Sequence, residues 1–214
     1  MAGRIVQIVG LSERRDWRGA AGLLAALCLA GATVPLAGCG KAPDTASSAR
    51  SQGPGGPFRL VDDNGRPADE RVLKGKWSLV FFGYTFCPDA CPTTLTMLGR
   101  TMDQLGPEKA AKAQVVFITV DPERDTPAQL KTYLSSPVFP KNVIGLTGTP
   151  AQIDQAAKGY YVYHAKSGSG PHYTVDHTTV IYLMDPEGRF VKPIPEGVTP
   201  DEAAGQISAA MRGA

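Results

Sequence analysis

WSLVFFGYTFCPDACP, residues 77–92, is the stretch of the 214-residue sequence that decides its fold. The run from Trp77 to Phe86 is long, apolar and rich in aromatic residues, which is typical of a central strand buried on both faces. A helix is predicted from about Cys91 to about Leu105, where apolar residues recur at helical spacing. The cysteine pair therefore lies where a buried strand ends and a long helix begins.

Strands and helices alternate on both sides of this stretch. Strands are predicted at 58–61, 114–120 and 178–184, and the last of these forms a hairpin with Phe190 and Val191. The predicted order of elements is β-β-α-β-α-β-α-β-β-α. This order indicates an α/β sandwich with helices on both faces of its sheet.

Three of the predicted helices share one start signal. A threonine is followed directly by proline and, three residues after the threonine, by glutamine or glutamate. The threonine can cap the free N–H groups, proline suits the first helical position, and the Gln or Glu side chain completes a capping box. The three capping residues are Thr126, Thr149 and Thr199.

The first 57 residues are predicted to lie outside the fold. Residues 1–38 place four arginines before an apolar stretch, as an export signal does, and Leu-Ala-Gly-Cys at its end resembles the bacterial lipobox. Cys39 is therefore predicted to be lipidated, followed by a flexible Gly-, Pro- and Ser-rich linker over 39–57 and a globular domain over 58–214. An uncleaved transmembrane anchor and a secreted form are the alternatives. A lipid or a transmembrane anchor would hold the chain on the extracytoplasmic, periplasmic side of a bacterial membrane.

The charge of the chain argues against nucleic-acid binding. The sequence has 22 Lys and Arg against 20 Asp and Glu, and residues 1–38 hold four of the basic and two of the acidic residues. The rest of the chain thus carries 18 of each sign, with no basic run. A protein that binds nucleic acid through its phosphates needs a basic surface, so the sequence gives no electrostatic reason to expect this class of function.

Cysteine usage narrows the chemistry. Of four cysteines, Cys28 leaves with the signal and Cys39 carries lipid, so Cys87 and Cys91 remain as thiols. At a helix N-terminus the backbone N–H groups favour the thiolate, which raises both nucleophilicity and metal affinity. A structural disulfide is the alternative, although a bridge across so short a loop constrains little chain entropy. Redox or metal chemistry is therefore the preferred interpretation.

The spacing of this pair separates redox chemistry from metal chemistry. Dithiol oxidoreductases usually have two residues between their cysteines, whereas three intervene here. If Cys87 lies in the first helical turn, Cys91 follows it on the same face of the helix. Two thiolates with one imidazole favour copper or zinc, so the third ligand is expected to be a histidine.

His177 is the preferred histidine because it directly precedes the predicted strand at 178–184. Its neighbour Asp176 could polarise the ring from outside the ligand set. His164 and His172 lie in a Gly- and Ser-rich loop that is predicted to be mobile and solvated. A mobile loop positions metal ligands poorly, so these two histidines are interpreted as exposed loop residues.

Residues 121–125 carry four charges directly after the predicted strand at 114–120. The segment has two interpretations, a docking surface for a partner or a capped and solvated turn that leads into the helix at Thr126. Two further groups of side chains are interpreted as packing rather than chemistry. These are the tyrosines of a predicted strand, Tyr160, Tyr161 and Tyr163, and the core methionines Met97, Met102 and Met184.

Three segments, in this order along the chain, resemble the Sco/SenC copper-binding proteins. They are FGYTFCPDACP at 82–92, VDPERDTP at 120–127 and YTVDHT at 173–178. The resemblance covers about residues 58–210. It implies a thioredoxin-like fold with an inserted hairpin, membrane attachment outside the cytoplasm, and one copper ion bound by Cys87, Cys91 and His177.

The resemblance also implies a role in the assembly of cytochrome c oxidase. Members of the family deliver copper to the dinuclear copper site of the oxidase or keep the cysteines of that site reduced. The implied partners are the copper-containing subunit of the oxidase, other copper chaperones and thioredoxin-like reductants. A thiol-disulfide oxidoreductase that uses Cys87 and Cys91 as its catalytic pair is the alternative function, so whether the chain is an enzyme stays open at this point.

Overall fold

The computed structural model describes residues 53–213. The predicted signal at 1–38, the lipidation site Cys39 and most of the predicted linker lie outside the described residues. Between residues 53 and 213, no helix combines the length and the apolar character needed to cross a bilayer. The last residues of the predicted linker lie against the domain, since the Gly55 amide donates to the Gly159 carbonyl at 2.8 Å.

Within residues 53–213 the chain forms nine strands and four α-helices, in an order that contains the predicted series β-β-α-β-α-β-α-β-β-α. The strands are β1 (Arg59–Asp62), β2 (Pro67–Asp69), β3 (Trp77–Gly83), β4 (Ala113–Thr119), β5 (Val143–Thr147), β6 (His164–Ser167), β7 (Thr174–His177), β8 (Ile181–Met184) and β9 (Phe190–Ile194). The helices are α1 (Ala90–Ala111), α2 (Pro127–Leu134), α3 (Pro150–Gly159) and α4 (Pro200–Arg212). The elements not expected from hydrophobic pattern are β2 and the hairpin β6–β7.

A mixed seven-stranded sheet forms the centre of the domain, in the order β2-β1-β5-β4-β3-β8-β9. β3, β4 and β5 are parallel, while β8 runs antiparallel to β3. Every residue of β3 and β4 is buried, as their apolar sequences predict. The α/β fold class is thus confirmed.

Helices cover both faces of this sheet. Phe81 and Phe82 are adjacent in β3, so their rings point to opposite faces. Phe81 packs on Phe117, which in turn packs on Tyr133 of α2. Phe82 packs on Tyr160 at the end of α3, with ring centroids 5.3 Å apart. The two-sided sandwich expected from the sequence is therefore present.

All three predicted threonine caps are confirmed. Thr126, Thr149 and Thr199 each accept a hydrogen bond from the amide three residues on, and α3 and α4 have complete capping boxes. Helix α1 begins at Ala90, one residue from its predicted start, which leaves Cys87 ahead of the helix. It also continues beyond a kink at Gly106, whose φ of 73° is accessible to glycine, before Pro107.

Two local predictions between α3 and β8 are wrong. The tyrosines form no strand, because Tyr160 caps the end of α3 and Tyr161 has a φ of 57°. The loop at 163–172 is not merely solvated, since it contains β6, which pairs with β7 as a separate two-stranded sheet. His177 consequently ends a strand rather than lying in a loop, and the inserted hairpin implied by the resemblance is β6–β7.

Candidate metal centre

The structure brings the three predicted ligands together. One ligand atom from each of Cys87, Cys91 and His177 can be chosen so that all three lie within 4.8 Å of one another. The Cys91 Sγ and His177 Nε2 atoms are 3.7 Å apart. The residues come from the turn after β3, the first turn of α1 and the end of β7. They meet at the carboxyl edge of the parallel strands, where α/β folds place their sites.

The cysteine pair is shaped by the turn before α1 rather than by helical spacing. The expected i,i+4 placement is corrected, because Cys87 precedes the helix and its Sγ accepts a hydrogen bond from the Cys91 amide at 3.3 Å. Gly83 at the end of β3 leaves room for the second thiol. A Cβ added at Gly83 would lie 2.8 Å from the Cys91 Sγ, closer than packed atoms can approach.

The pKa values of the two thiols are shifted in opposite directions. A hydrogen bond from the Cys91 thiol, assisted by backbone amides, lowers the pKa of Cys87 to about 5. The same interaction, together with burial, raises the pKa of Cys91 well above the ordinary thiol value. Without metal, the reduced pair therefore carries one thiolate on the half-buried Cys87 and one protonated thiol on the buried Cys91.

Alkylation should report this asymmetry. In the reduced protein with a metal chelator present, iodoacetamide is expected to modify Cys87 selectively, with a half-maximal rate near pH 5, because the reactive thiolate is lost only as pH falls through its pKa of about 5. Mass spectrometry at a series of pH values measures the rate at each thiol. Cys91→Ala removes the donor, so it should move the midpoint upward. A wild-type midpoint at the ordinary thiol pKa would contradict this assignment.

His177 is oriented by its own backbone neighbourhood. Its Nδ1 lies 3.0 Å from the Thr178 carbonyl, which can only accept, so Nδ1 carries the proton. In the neutral ring, Nε2 then presents its lone pair to the thiols. The ring is held edge-on by Tyr84, with centroids 5.8 Å apart and an interplanar angle of 85°. The imidazole is thus held with its Nε2 directed at the thiols.

Asp176 is not brought to the site. Side chains alternate along β7, so Asp176 is exposed while Val175 on one side of it is buried and His177 on the other faces the thiols. The orienting role expected of Asp176 is corrected: the Thr178 carbonyl contacts the ring nitrogen instead. A one-residue shift of strand register would have been needed to turn Asp176 inward.

The other two histidines lie apart from the thiols. His164 pairs in register with His177 across the hairpin, but its Nε2 contacts Asp154 at 3.2 Å. His172 is exposed in the short turn between β6 and β7. Their interpretation as residues outside the ligand set agrees with these positions, although His164 belongs to a strand.

Asp125 is a buried residue near the site that the sequence did not single out. It is fully buried and accepts hydrogen bonds from the Thr85 amide at 3.0 Å, the Thr85 hydroxyl at 2.6 Å and the Thr119 hydroxyl at 2.6 Å. Thr85 lies two residues before Cys87, so Asp125 fixes the turn that presents this thiol. The signal that could have found it is its place inside the segment 120–127 quoted for the family resemblance, directly before the helix cap Thr126.

The donor set limits what the site can do. Thiolate sulfur and imidazole nitrogen are ligands that select soft or borderline metals such as Cu(I) and Zn²⁺. The same two thiols can also be oxidised to a disulfide or reduce one elsewhere. A disulfide would consume both sulfur ligands, so metal binding and disulfide formation exclude each other.

Comparison with known proteins places these features in context. The family model described as SCO1/SenC matches residues 46–212. Protein SenC of Rhodobacter capsulatus is 40% identical over 176 residues, which is 82% of this chain and 76% of that protein. The chain spans about half the length of the mitochondrial SCO proteins of Arabidopsis thaliana and Saccharomyces cerevisiae that it matches, covering 41%, 50% and 47% of them.

Solved structures show the same fold. ScoI of Bradyrhizobium japonicum with copper bound is 48% identical, with a TM-score of 0.66 over 72% of this chain and 98% of that one. BsSco, a member of the Sco family of cytochrome c oxidase assembly proteins with a disulfide switch, is 25% identical, with a TM-score of 0.59 over 74% of this chain and 93% of that one. These likenesses confirm the thioredoxin-like arrangement.

Proposed function

Because the chain belongs to the SCO1/SenC family, we propose that it binds one copper ion through Cys87, Cys91 and His177 and acts in the assembly of cytochrome c oxidase. One observation carries the proposal: ligand atoms of these three residues, distant in sequence, lie within 4.8 Å of one another. The copper-bound relative from Bradyrhizobium japonicum supports the choice of metal.

Donor chemistry suits copper and does not suit a structural zinc site. Structural zinc takes four protein ligands in a tetrahedron, whereas this group supplies two sulfurs and one nitrogen. Two soft sulfurs with one imidazole nitrogen suit Cu(I), and a further ligand would accommodate Cu(II). A simple dithiol oxidoreductase would not need an imidazole whose Nε2 lies 3.7 Å from the buried thiol, so His177 favours the copper function over that alternative.

Copper is the cargo in this proposal. The family role takes two forms. One is delivery of copper to the dinuclear site of the oxidase subunit, and the other is reduction of the cysteines of that site. In the second form, the two thiols of Cys87 and Cys91 pass two electrons and two protons to a client disulfide and become a disulfide themselves. Copper-donating chaperones and thioredoxin-like reductants are the partner classes that would restore the starting state.

Anaerobic titration of the reduced full-length protein with Cu(I) and, separately, Cu(II) tests the proposal. One copper per chain is expected, with sulfur-to-copper charge-transfer absorption for Cu(II). His177→Ala should weaken binding by more than about 100-fold, because loss of a ligand costs more than loss of an outer-shell partner. His164→Ala is the matched control on the facing strand and should bind as the parent does. Equal affinities of these two variants would remove His177 from the site.

We further propose that the chain is an extracytoplasmic lipoprotein anchored through Cys39, with the linker residues that precede the Gly55 contact as its tether. The support is the sequence alone, an arginine-rich start and a Leu-Ala-Gly-Cys end of the apolar stretch. Mass spectrometry of the mature protein from bacterial membranes should find a chain beginning at Cys39 with a lipid mass attached. A mature chain that retains residues 1–38 would instead support an uncleaved anchor.

A further inference from the structure

We propose that Arg124 is a positioning residue that clamps the β6–β7 hairpin and so holds His177 beside the thiols. The inference rests on the proposed copper function, because positioning matters only if His177 is a ligand. It assigns a function to the charged segment after β4, for which the sequence left open a docking surface or a solvated turn. Neither alternative describes what Arg124 contacts.

The hairpin needs support from outside itself. Among residues 53–213 its strands pair only with each other, forming a two-stranded sheet separate from the main one, and each strand has four residues. Isolated two-stranded hairpins are at best marginally stable in water. Of the eight strand residues, only Val175 is fully buried, so apolar packing contributes little to holding it. His177 ends the second strand and depends on where the hairpin lies.

Arg124 supplies that support through three kinds of contact. Its Nη1 donates to the Tyr173 carbonyl at 3.0 Å and to the Pro171 carbonyl at 3.4 Å, just before β7. Its guanidinium carbon lies 3.6 Å from the centre of the Tyr173 ring, a stacked cation–π contact. Its Nε donates to the buried carboxylate of Asp121, which fixes the guanidinium plane.

The other carboxylate oxygen of Asp121 also holds Tyr173, so that Arg124, Asp121 and Tyr173 together form the clamp. The Tyr173 hydroxyl donates to Asp121 Oδ1 at 2.5 Å, so Tyr173 is held by its ring, its carbonyl and its hydroxyl. The Arg124 side chain is only 15% exposed, and the Asp121 side chain is fully buried. Buried, charge-assisted hydrogen bonds of this kind are stronger and more directional than surface ion pairs. From Tyr173, the strand carries this restraint four residues along to His177.

A second contact between the hairpin and the segment after β4 is an exposed ion pair, which is weaker than the buried contacts of Arg124. Lys166 pairs with Glu123 at 2.5 Å, but the two side chains are 47% and 57% exposed. An exposed ion pair of this sort contributes little to stability. Lys166→Gln is therefore a matched control, since it removes the Glu123 ion pair and a 4.8 Å contact of the Lys166 ammonium with the Tyr173 ring, while leaving every contact of Arg124 and Asp121 in place.

The test measures Cu(I) affinity of the full-length protein in two backgrounds. Arg124→Gln should weaken binding by about 10- to 100-fold, the range for residues that orient a metal ligand. In a His177→Ala background it should change affinity by less than about twofold, because its effect passes through His177. Lys166→Gln should leave affinity unchanged. X-ray absorption of the Arg124→Gln complex should show sulfur scattering retained and imidazole scattering reduced.

A second measurement needs no copper. Amide hydrogen exchange in the metal-free Arg124→Gln protein should accelerate in β6–β7 and stay unchanged in β3 and β4. If the lone buried Asp121 charge unfolds that variant, the double change Asp121→Asn with Arg124→Gln removes both charges together.

The outcomes distinguish failure of the Arg124 clamp from failure of the copper function. An unchanged Cu(I) affinity in Arg124→Gln, beside a loss in His177→Ala, would overturn the clamp and leave the copper function standing. The same loss for Arg124→Gln in both backgrounds would also overturn it. If His177→Ala itself binds normally, the ligand proposal fails, and hydrogen exchange alone decides whether Arg124 restrains the hairpin.

Discussion

Replacing either Cys87 or Cys91 by serine is expected to abolish stoichiometric copper binding. Serine keeps the size of the side chain but replaces a soft, ionisable sulfur by a hydroxyl that stays protonated at neutral pH. The remaining sulfur and imidazole then provide two ligands instead of three. Cu(I) competition against a chromophoric chelator, with Cu(II) absorbance as a second readout, measures the loss. It should exceed that of His177→Ala, since sulfur is the stronger ligand for Cu(I).

Oxidation of Cys87 and Cys91 should abolish copper binding as their replacement by serine does, but reversibly. A Cys87–Cys91 disulfide occupies both sulfurs, so oxidised protein should bind no copper and recover fully on reduction. Met97→Leu is the control, because it removes a soft sulfur on α1 that contacts the Thr101 hydroxyl rather than the site. If a cysteine variant kept wild-type stoichiometry and spectrum, copper would have to bind elsewhere.

The parts of the fold that the sequence predicted are those encoded by local rules. The apolar runs of β3 and β4 are continuous because both faces of each strand are covered, and the observed strands lie within a few residues of their predicted bounds. The Thr-Pro signals predict three helix starts because a cap needs only its own next three residues. The start of helix α1 at Ala90 is also within one residue of its predicted start, whereas the turn that carries Cys87 ahead of it is held by contacts from outside the helix.

The sequence predicts the ligand residues of the site but not the residues that hold those ligands in place. Cysteine spacing and the family motifs identify three ligands, which are chemically distinctive. The clamp and the Thr85–Asp125 contact join segments about 40 to 50 residues apart, and no local pattern encodes such pairings. Asp176 was assigned from its position in the sequence, but alternation along β7 turns it to solvent. The supports depend on tertiary packing, which overrides local pattern.

Asp125→Ala is expected to destabilise the domain severely. It would leave the Thr85 amide and the Thr85 and Thr119 hydroxyls without their acceptor inside the protein. Each unsatisfied buried group costs about 1–3 kcal/mol, so the loss should reach several kcal/mol, a large part of the stability of a typical domain. Denaturant unfolding of the metal-free protein measures it. Any folded fraction should also bind copper weakly, because the turn before Cys87 loses its support.

Asp125→Asn is the matched variant and should be mild. Its carbonyl can accept from the Thr85 amide and the Thr119 hydroxyl, while its amide donates to the Thr85 hydroxyl. Burial raises the pKa of Asp125, so the charged form is the disfavoured one in the folded protein. The raised pKa means that protonated Asp125 stabilises the folded protein. This contribution to the free energy of unfolding is fully present below the pKa of Asp125 in the unfolded chain, about 3.8, and is lost as pH rises through its pKa in the folded protein. The free energy of unfolding of wild type relative to Asp125→Asn should therefore fall as pH rises above that value, and a difference that rises with pH would show that Asp125 is needed as a charge.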